Sequence, residues 1–332
     1  MSIVLVVDNI IKMNILTIRN NKMKTLTKSE LRRVNLYKIP GLLILATLLL
    51  SACTVSVSRN SNDLVRETFD VSDFDRISMS APGELFITQT GEESLSVETD
   101  SNVMRHVKIR VRNGTLYIDL RNLVLTSPTK LTFNLTVDEL SSLVVTSSGD
   151  SFVDDIDTER LEVEISGSGD IEFDDIDTEH LEIEINGSGD TQIDSLETET
   201  ADIQIDGSGR IEIDSFTTDL IELKLNSSGS FTVDSLSSDE LEIICNGSGK
   251  VKLAGETIHQ DISLHGSANY MASRLMSETA DVNINSSGSV DLWVTDFLKV
   301  RIGGSGDVSY YGTPRLEFSG NGSGDLNSLG DK

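Results

Sequence analysis

The sequence predicts an all-β fold: a single-domain, right-handed parallel β-helix with about 20 residues per coil. Three observations predict it. A Ser-Gly pair closes a turn at Gly149, Gly169, Gly189, Gly209, Gly229 and Gly249, twenty residues apart each time, and weaker copies follow at Ala268, Gly288, Gly306 and Gly324 with spacings of nineteen, twenty, eighteen and eighteen. Between turns, apolar and polar residues alternate with the period-2 signature of a half-buried strand. Aligned copies also place apolar residues in columns. Twenty residues cannot bury an apolar face alone, whereas a coil covered above and below by its neighbours can. At about 4.8 Å per coil, roughly a dozen coils give a stack of about 60 Å. A sandwich of hairpins would not keep a constant register of twenty.

Within one copy, Leu161, Val163 and Ile165 alternate with Glu162 and Glu164 before the Ser166-Gly167-Ser168-Gly169 turn. Ile171 and Phe173 then alternate with Glu172 and Asp174, and Ile176 adds a further apolar position. The expected inward columns are Leu161, Leu181, Ala201, Ile221, Leu241; Ile165, Ile185, Ile205, Leu225, Cys245; and Ile156, Ile176, Leu196, Phe216, Leu236. The turn glycines are expected where a bend needs positive φ and neighbouring coils leave no room for a side chain. The turn serines (Ser168, Ser188, Ser208, Ser228, Ser248) and Asn186, Asn226 and Asn246 are expected to stack as hydrogen-bonded ladders.

Ahead of the repeats, residues 24–38 carry Lys24, Lys28, Arg32, Arg33 and Lys38 against the single acid Glu30, and an apolar run from Ile39 to Leu50 ends in Leu50-Ser51-Ala52-Cys53. A basic segment, a short apolar core and small residues form a secretory signal over residues 1–52, with Met23 as an alternative start. Twelve helical residues reach about 18 Å, too short for a hydrocarbon core of about 30 Å. The Leu-Ser-Ala-Cys ending resembles the lipobox of bacterial lipoproteins. That resemblance implies acylation of Cys53, which would become the mature N-terminus, and Thr54 in place of Asp favours an outer-membrane destination. Residues 53–64 then read as a lipidated tether and 65–332 as the β-helix, irregular over 65–145 and regular over 146–332. Removing residues 1–52 takes away eight basic and two acidic side chains and leaves a net charge of −33. Such a surface repels nucleic acid and attracts cations or cationic surfaces.

The irregular coils at 65–145 are expected to cap the N-terminal end of the stack and hide an open sheet edge. Phe74-Asp75-Arg76-Ile77, then Gly83-Glu84-Leu85-Phe86-Ile87-Thr88-Gln89, then Asn113-Gly114-Thr115-Leu116, then repeated Gly-Ser-Gly-Asp turns, resemble the GIN domain from about residue 65 onwards. The resemblance implies a β-helical head of the autotransporter-adhesin type. It carries over no catalytic residues, and no segment of this sequence reads as a translocator barrel.

Two outward columns are candidates for cation binding: Asp154, Asp174, Asp194, Asp214, Asp234, and Glu162, Glu182, Asp202, Glu222, Glu242. Unit charges about 4.8 Å apart in water repel by about 0.9 kcal/mol, so loosely bound Ca²⁺ would relieve the strain. The plain reading is a solvated face that keeps the stack soluble. In the last coils the aspartate column is expected to continue as Ala254, Ser273, Trp293 and Tyr311. Trp293 and Tyr311 are thus candidates for binding a glycan or protein, or for packing under a cap. Thr158, Thr178, Thr198 and Thr218 form a single column flanked by acids, unlike the paired flat columns of ice binders. His106, His180, His259 and His265 match no ligand spacing, and Cys245 takes a core position.

The function read from these features is a non-catalytic, lipid-anchored envelope protein. It would present a rigid acidic surface to an envelope or host-surface protein or glycan, with the membrane met through Cys53. A polysaccharide-active β-helical lyase or hydrolase competes with this reading, but coils of near-constant length build no cleft. A structural envelope scaffold with loosely bound Ca²⁺ is the third alternative.

Overall fold

A computed structural model describes residues 56–57, 63–125 and 129–332. They belong to the second of two compact units, residues 55–332. The expected signal at 1–52, the lipidation site Cys53 and most of the 53–64 tether lie outside the described residues. Four tether residues do not: Ser56–Val57 form strand β1, paired in parallel with Leu123–Val124, and Asp63 and Leu64 adjoin the described body.

The regular stack begins with β10 (Ser142–Val145), β11 (Ser151–Val153) and β12 (Ile156–Ile165). It continues coil by coil through β13 (Ile171–Ile185), β14 (Thr191–Ile205), β15 (Arg210–Leu225), β16 (Ser230–Cys245), β17 (Lys250–Leu264), β18 (Asn269–Ile284) and β19 (Ser289–Ile302). The next coil is made by β20 (Asp307–Tyr311) and β21 (Arg315–Gly320), and β22 (Leu326–Ser328) lies over β20. Every neighbouring pair in this series is parallel, with Ile165 opposite Ile185, Ile185 opposite Ile205 and Ile205 opposite Leu225. The solenoid has about nine turns of about 20 residues, fewer than the dozen expected. Ile165, Ile185, Ile205, Leu225 and Cys245 are fully buried. Burial pushes the Cys245 thiol up to about 12.

The turns are tight because backbone lies on backbone. A Cβ at Gly169, Gly189 or Gly209 would overlap the carbonyl oxygen of the glycine one coil before. Positive φ plays no part at these positions; among the described glycines it occurs at Gly91, Gly114, Gly255, Gly312 and Gly330. Close approach alone selects glycine in the turns.

The N-terminal region departs from the expectation of irregular parallel coils. Its elements are β2 (Leu64–Phe69), β3 (Arg76–Met79), β4 (Glu84–Gln89), β5 (Ser94–Asp100), the short helix α1 (Ser101–Met104), β6 (Val107–Arg112), β7 (Thr115–Leu120), β8 (Leu123–Val124) and β9 (Leu131–Val137). Strands β3 and β4 continue the stack, pairing in parallel with β10 and β11, and β7 and β9 lie over them, also in parallel. Beyond that the direction reverses: β6 pairs antiparallel with β7, β5 with β9, and β2 with β5. Asn113 and Gly114, at φ 53° and 74°, form the two-residue turn of the β6–β7 hairpin. The outermost strand β6 holds Lys108, Arg110 and Arg112 exposed, charges that discourage further strand pairing.

Candidate functional site

Side chains alternate along each strand and coils repeat every twenty residues, so outward residues also stand in columns. Glu162, Glu182, Asp202, Glu222 and Glu242 are successive partners in the ladder. Asp154, Asp174, Asp194, Asp214 and Asp234 occupy the bend after the Phe173-type strand segment, and all five are exposed. Partial burial, and then the carboxylates of Asp154 and Asp194 on either side, raise Asp174 above the ordinary aspartate range.

This charge is concentrated. Residues 146–249 hold 29 acidic and three basic side chains, against 13 and eight in 63–145 and ten and seven in 250–332. All three cations of the central turns are engaged: Arg160 with Glu182 at 2.6 Å, Arg210 with Glu212 at 3.3 Å, and Lys224 with Glu222 and Asp202 at 3.6 and 3.8 Å. Asp234 is met by Lys252 and Arg274 from the following turns. Most of the remaining carboxylates have no ion pair among the described residues. Nor does any group of three or more His, Cys, Asp or Glu among the described residues converge to hold a metal ion.

A third acidic column went unread in the sequence. Asp150 Oδ1 accepts the backbone N–H of Asp170 at 3.1 Å, Asp170 Oδ1 that of Asp190 at 2.8 Å, and Asp190 Oδ1 that of Arg210 at 2.8 Å. Each carboxylate therefore caps the start of the next coil. With Phe152, Glu172, Gln192 and Arg210 they line a shallow groove of about 300 Å³. At its N-terminal end the rings of Phe86 and Phe152 stack 4.9 Å apart at 14°. Phe86 is 38% exposed, which makes this an aromatic platform at the start of an acidic column. Phe86 alternates with the buried Leu85 and Ile87, which turns its ring outward, and the coil pairing brings Phe152 onto it.

The threonine column faces inward. Thr158, Thr178, Thr198 and Thr218 are all buried, and Thr198 Oγ1 bridges the carbonyls of Glu179 and Thr200 at 3.1 and 3.0 Å. The column is a staple at a bend and leaves little of itself to solvent. The asparagine ladder forms in part, with Asn246 Nδ2 donating to Asn226 at 2.7 Å and Asn226 Nδ2 to Asp206 at 2.6 Å. Asn186 turns to Glu184 instead. The expected serine ladder is made by backbone groups, as in Ser188 N–H to the Gly167 carbonyl at 3.0 Å.

In the last coils the register shifts. Trp293 pairs with Met276 on one side and Tyr311 on the other, while Ala254 is buried and pairs with Arg274. Trp293 and Tyr311 therefore adjoin as expected, but Ala254 and Ser273 do not lead into them. The ammonium of Lys332 lies 4.8 Å from the centre of the Trp293 ring and 5.2 Å from that of Tyr311, and donates to the Ser273 carbonyl. The pair is thus half-buried under a cation from its own chain.

A family described as "putative auto-transporter adhesin, head GIN domain" matches residues 73–233 and 201–314. The chain belongs to the GIN-domain family. Among solved structures, a putative lipid binding protein from Parabacteroides distasonis shares 22% identity, with 82% of this chain and 100% of that one covered and a TM-score of 0.48. A putative adhesin from Parabacteroides merdae shares 18%, with 82% and 99% covered and a TM-score of 0.46. Another, from Bacteroides fragilis, shares 17%, with 81% and 98% covered and a TM-score of 0.40. No curated protein matches. The GIN-domain description is that of a binding head, in keeping with a non-catalytic role.

Proposed function

We propose that this GIN-domain chain is a non-catalytic lipoprotein of the cell envelope, anchored through Cys53, whose central turns bind a cationic partner surface for adhesion. The observation that carries the reading is the stacking of 29 acidic against three basic side chains over residues 146–249. A ligand with basic groups at a matching spacing meets a carboxylate about every 4.8 Å, and several weak contacts then add. The Phe86–Phe152 platform at the head of the groove offers a ring face to an alkylammonium or guanidinium group. The family description as an adhesin head supports an extracellular or envelope setting, and the signal-like segment with its Leu-Ser-Ala-Cys ending supports the lipid route to an outer membrane.

The test is titration of the full chain with a fluorescent lysine-rich peptide at rising ionic strength. Affinity should fall steeply with salt, and should fall again in a variant carrying Glu162→Gln, Glu182→Gln, Glu222→Gln and Glu242→Gln. Binding insensitive to both would remove the proposal. Incorporation of labelled fatty acid into the wild type but not Cys53→Ala tests the anchor separately.

A further inference from the structure

The two ends of the stack are finished differently. At the N-terminal end the core columns are closed by antiparallel strands: Leu116 is fully buried beneath the hairpin that β6 completes. At the other end β22 covers β20, but the column on β21 runs out into solvent. Leu298 and Val300 on β19 are fully buried, yet their partners on β21, Leu316 and Phe318, are 42% and 49% exposed. All six residues of β21 are exposed, and the strand pairs with β19 alone among the described residues. Its outer edge therefore presents unpaired N–H and C=O groups beside two uncovered core side chains. A sheet edge of this kind is a template for another strand.

We infer that this end docks a second copy of the same chain, β21 against β21, antiparallel about a two-fold axis, so that the two stacks join tail to tail. Two properties of the end favour its own copy. The first is charge. Residues 250–332 hold ten acidic and seven basic side chains, so like ends approach almost neutral, while the acidic turns of 146–249 stay several coils away. At about 4.8 Å per coil that separation exceeds the screening length of about 8 Å in physiological salt. The second is self-complementarity. A two-fold axis at Leu316 packs Leu316 on Leu316 and sets Arg315 opposite Glu317 of the second copy, twice. Shifting the axis to Glu317 would oppose Glu317 to itself, which like-charge repulsion disfavours. The axis at Leu316 is the one that opposes unlike charges on both sides, and in it Leu316 and Phe318 of both copies lie on the same inward face.

Sedimentation of the full chain, in mild detergent where it carries lipid, tests the inference. The wild type should sediment as a dimer at micromolar concentration. Arg315→Glu should weaken the dimer by at least about tenfold, by leaving two like-charge oppositions at the interface. The double variant Arg315→Glu/Glu317→Arg should restore it, which a merely structural defect would not. In a Cys53→Ala background, Leu316→Cys, on the axis, should oxidise to a disulfide-linked dimer under conditions where the parent does not, because the remaining Cys245 is buried. A wild type that stays monomeric, or a dimer indifferent to the charge reversal and its rescue, overturns the proposal.

Discussion

The central turns and the C-terminal turns are built on one plan but differ in regularity and in charge, and at one bend the two differences meet. Through β12–β16 every coil keeps twenty residues and the ladder runs without a break. From β16 to β17 a residue is lost at the bend: Val233 pairs with Leu253 and Leu236 with Gly255, so Asp234-Ser235 faces Ala254 alone. The two following interfaces shift register at the same bend, between Lys252 and Ala254 and between Met271 and Met276. A further shift falls between Ser277 and Thr279, so the last regular coils absorb their changes in length at two places. The first shortening takes away the aspartate position, leaving Ala254, and when the following coil regains a residue at that bend it is Ser273, beside Arg274, and no acid returns.

The largest loss of stability is expected at a turn glycine of the central coils. Gly189→Val drives a branched side chain into the Gly169 carbonyl and the Ile165 side chain, and should cost about 3–5 kcal/mol. The urea midpoint checks it, and hydrogen exchange should show the loss spreading to adjacent central coils before the C-terminal ones. A smaller effect sharpens the contrast from the other side. The C-terminal core contains the buried pair Tyr270 and Gln260, in which the Tyr270 hydroxyl donates to Gln260 Oε1 at 2.6 Å while Gln260 Nε2 has no partner. Tyr270→Phe should cost about 1–3 kcal/mol by orphaning the acceptor, and Tyr270→Phe/Gln260→Leu should recover most of it by removing both polar groups. Denaturant midpoints of the two variants decide.

The smallest effect separates the acidic turns from the N-terminal cap by the sign of their pH response. The Asp174 carboxyl is raised by burial and by its neighbours, so its contribution is fully present below the unfolded value and is lost as pH rises through the folded one. Glu98 runs the other way: hydrogen bonds from Lys130 and Arg66 lower it, so its contribution is present above the unfolded value and is lost as pH falls through the folded one. As pH rises from the ordinary aspartate range, Asp174→Asn should flatten the decline in stability. As pH falls below the ordinary glutamate range, Glu98→Gln should lessen the loss instead. Thermal melts in low salt, from acid to neutral pH, measure both.

Much of this was legible in the sequence, because period twenty and period two together determine who stacks on whom. Ile165, Ile185 and Ile205 could be placed over one another without coordinates, and so could the column from Glu162 to Glu242. What stayed hidden depended on where within a coil an irregularity falls. A spacing of nineteen says that a residue is missing, but only backbone pairing puts the loss at Ala254 and re-partners Trp293 with Met276. The threonines were legible as a column, and their place two residues after the inward Ile156, Ile176, Leu196 and Phe216 marks them as inward, a sign hidden by the acids that flank them. The antiparallel cap did carry a signal: Asn113-Gly114 between Val107–Arg112 and Thr115–Leu120 is a two-residue hairpin turn, and the surrounding parallel repeat obscured it. The capping role of Asp150, Asp170 and Asp190 had no sequence mark, since Gly-Ser-Gly-Asp turns read equally well with the carboxylate in solvent.

The constant register of the central coils makes length a separable property of this protein. Because Gly187 and Gly207 sit at equivalent points, with residues before and after each meeting the same kinds of neighbour, excising residues 187–206 rejoins the chain at matched backbone positions. The protein made that way is shorter by one layer, with no new surface exposed and no partner lost across the seam. Duplication of the same segment lengthens it by the same step. Reach and number of contact points can therefore be varied in whole steps while the cap, the open end and each surviving coil are left as they were.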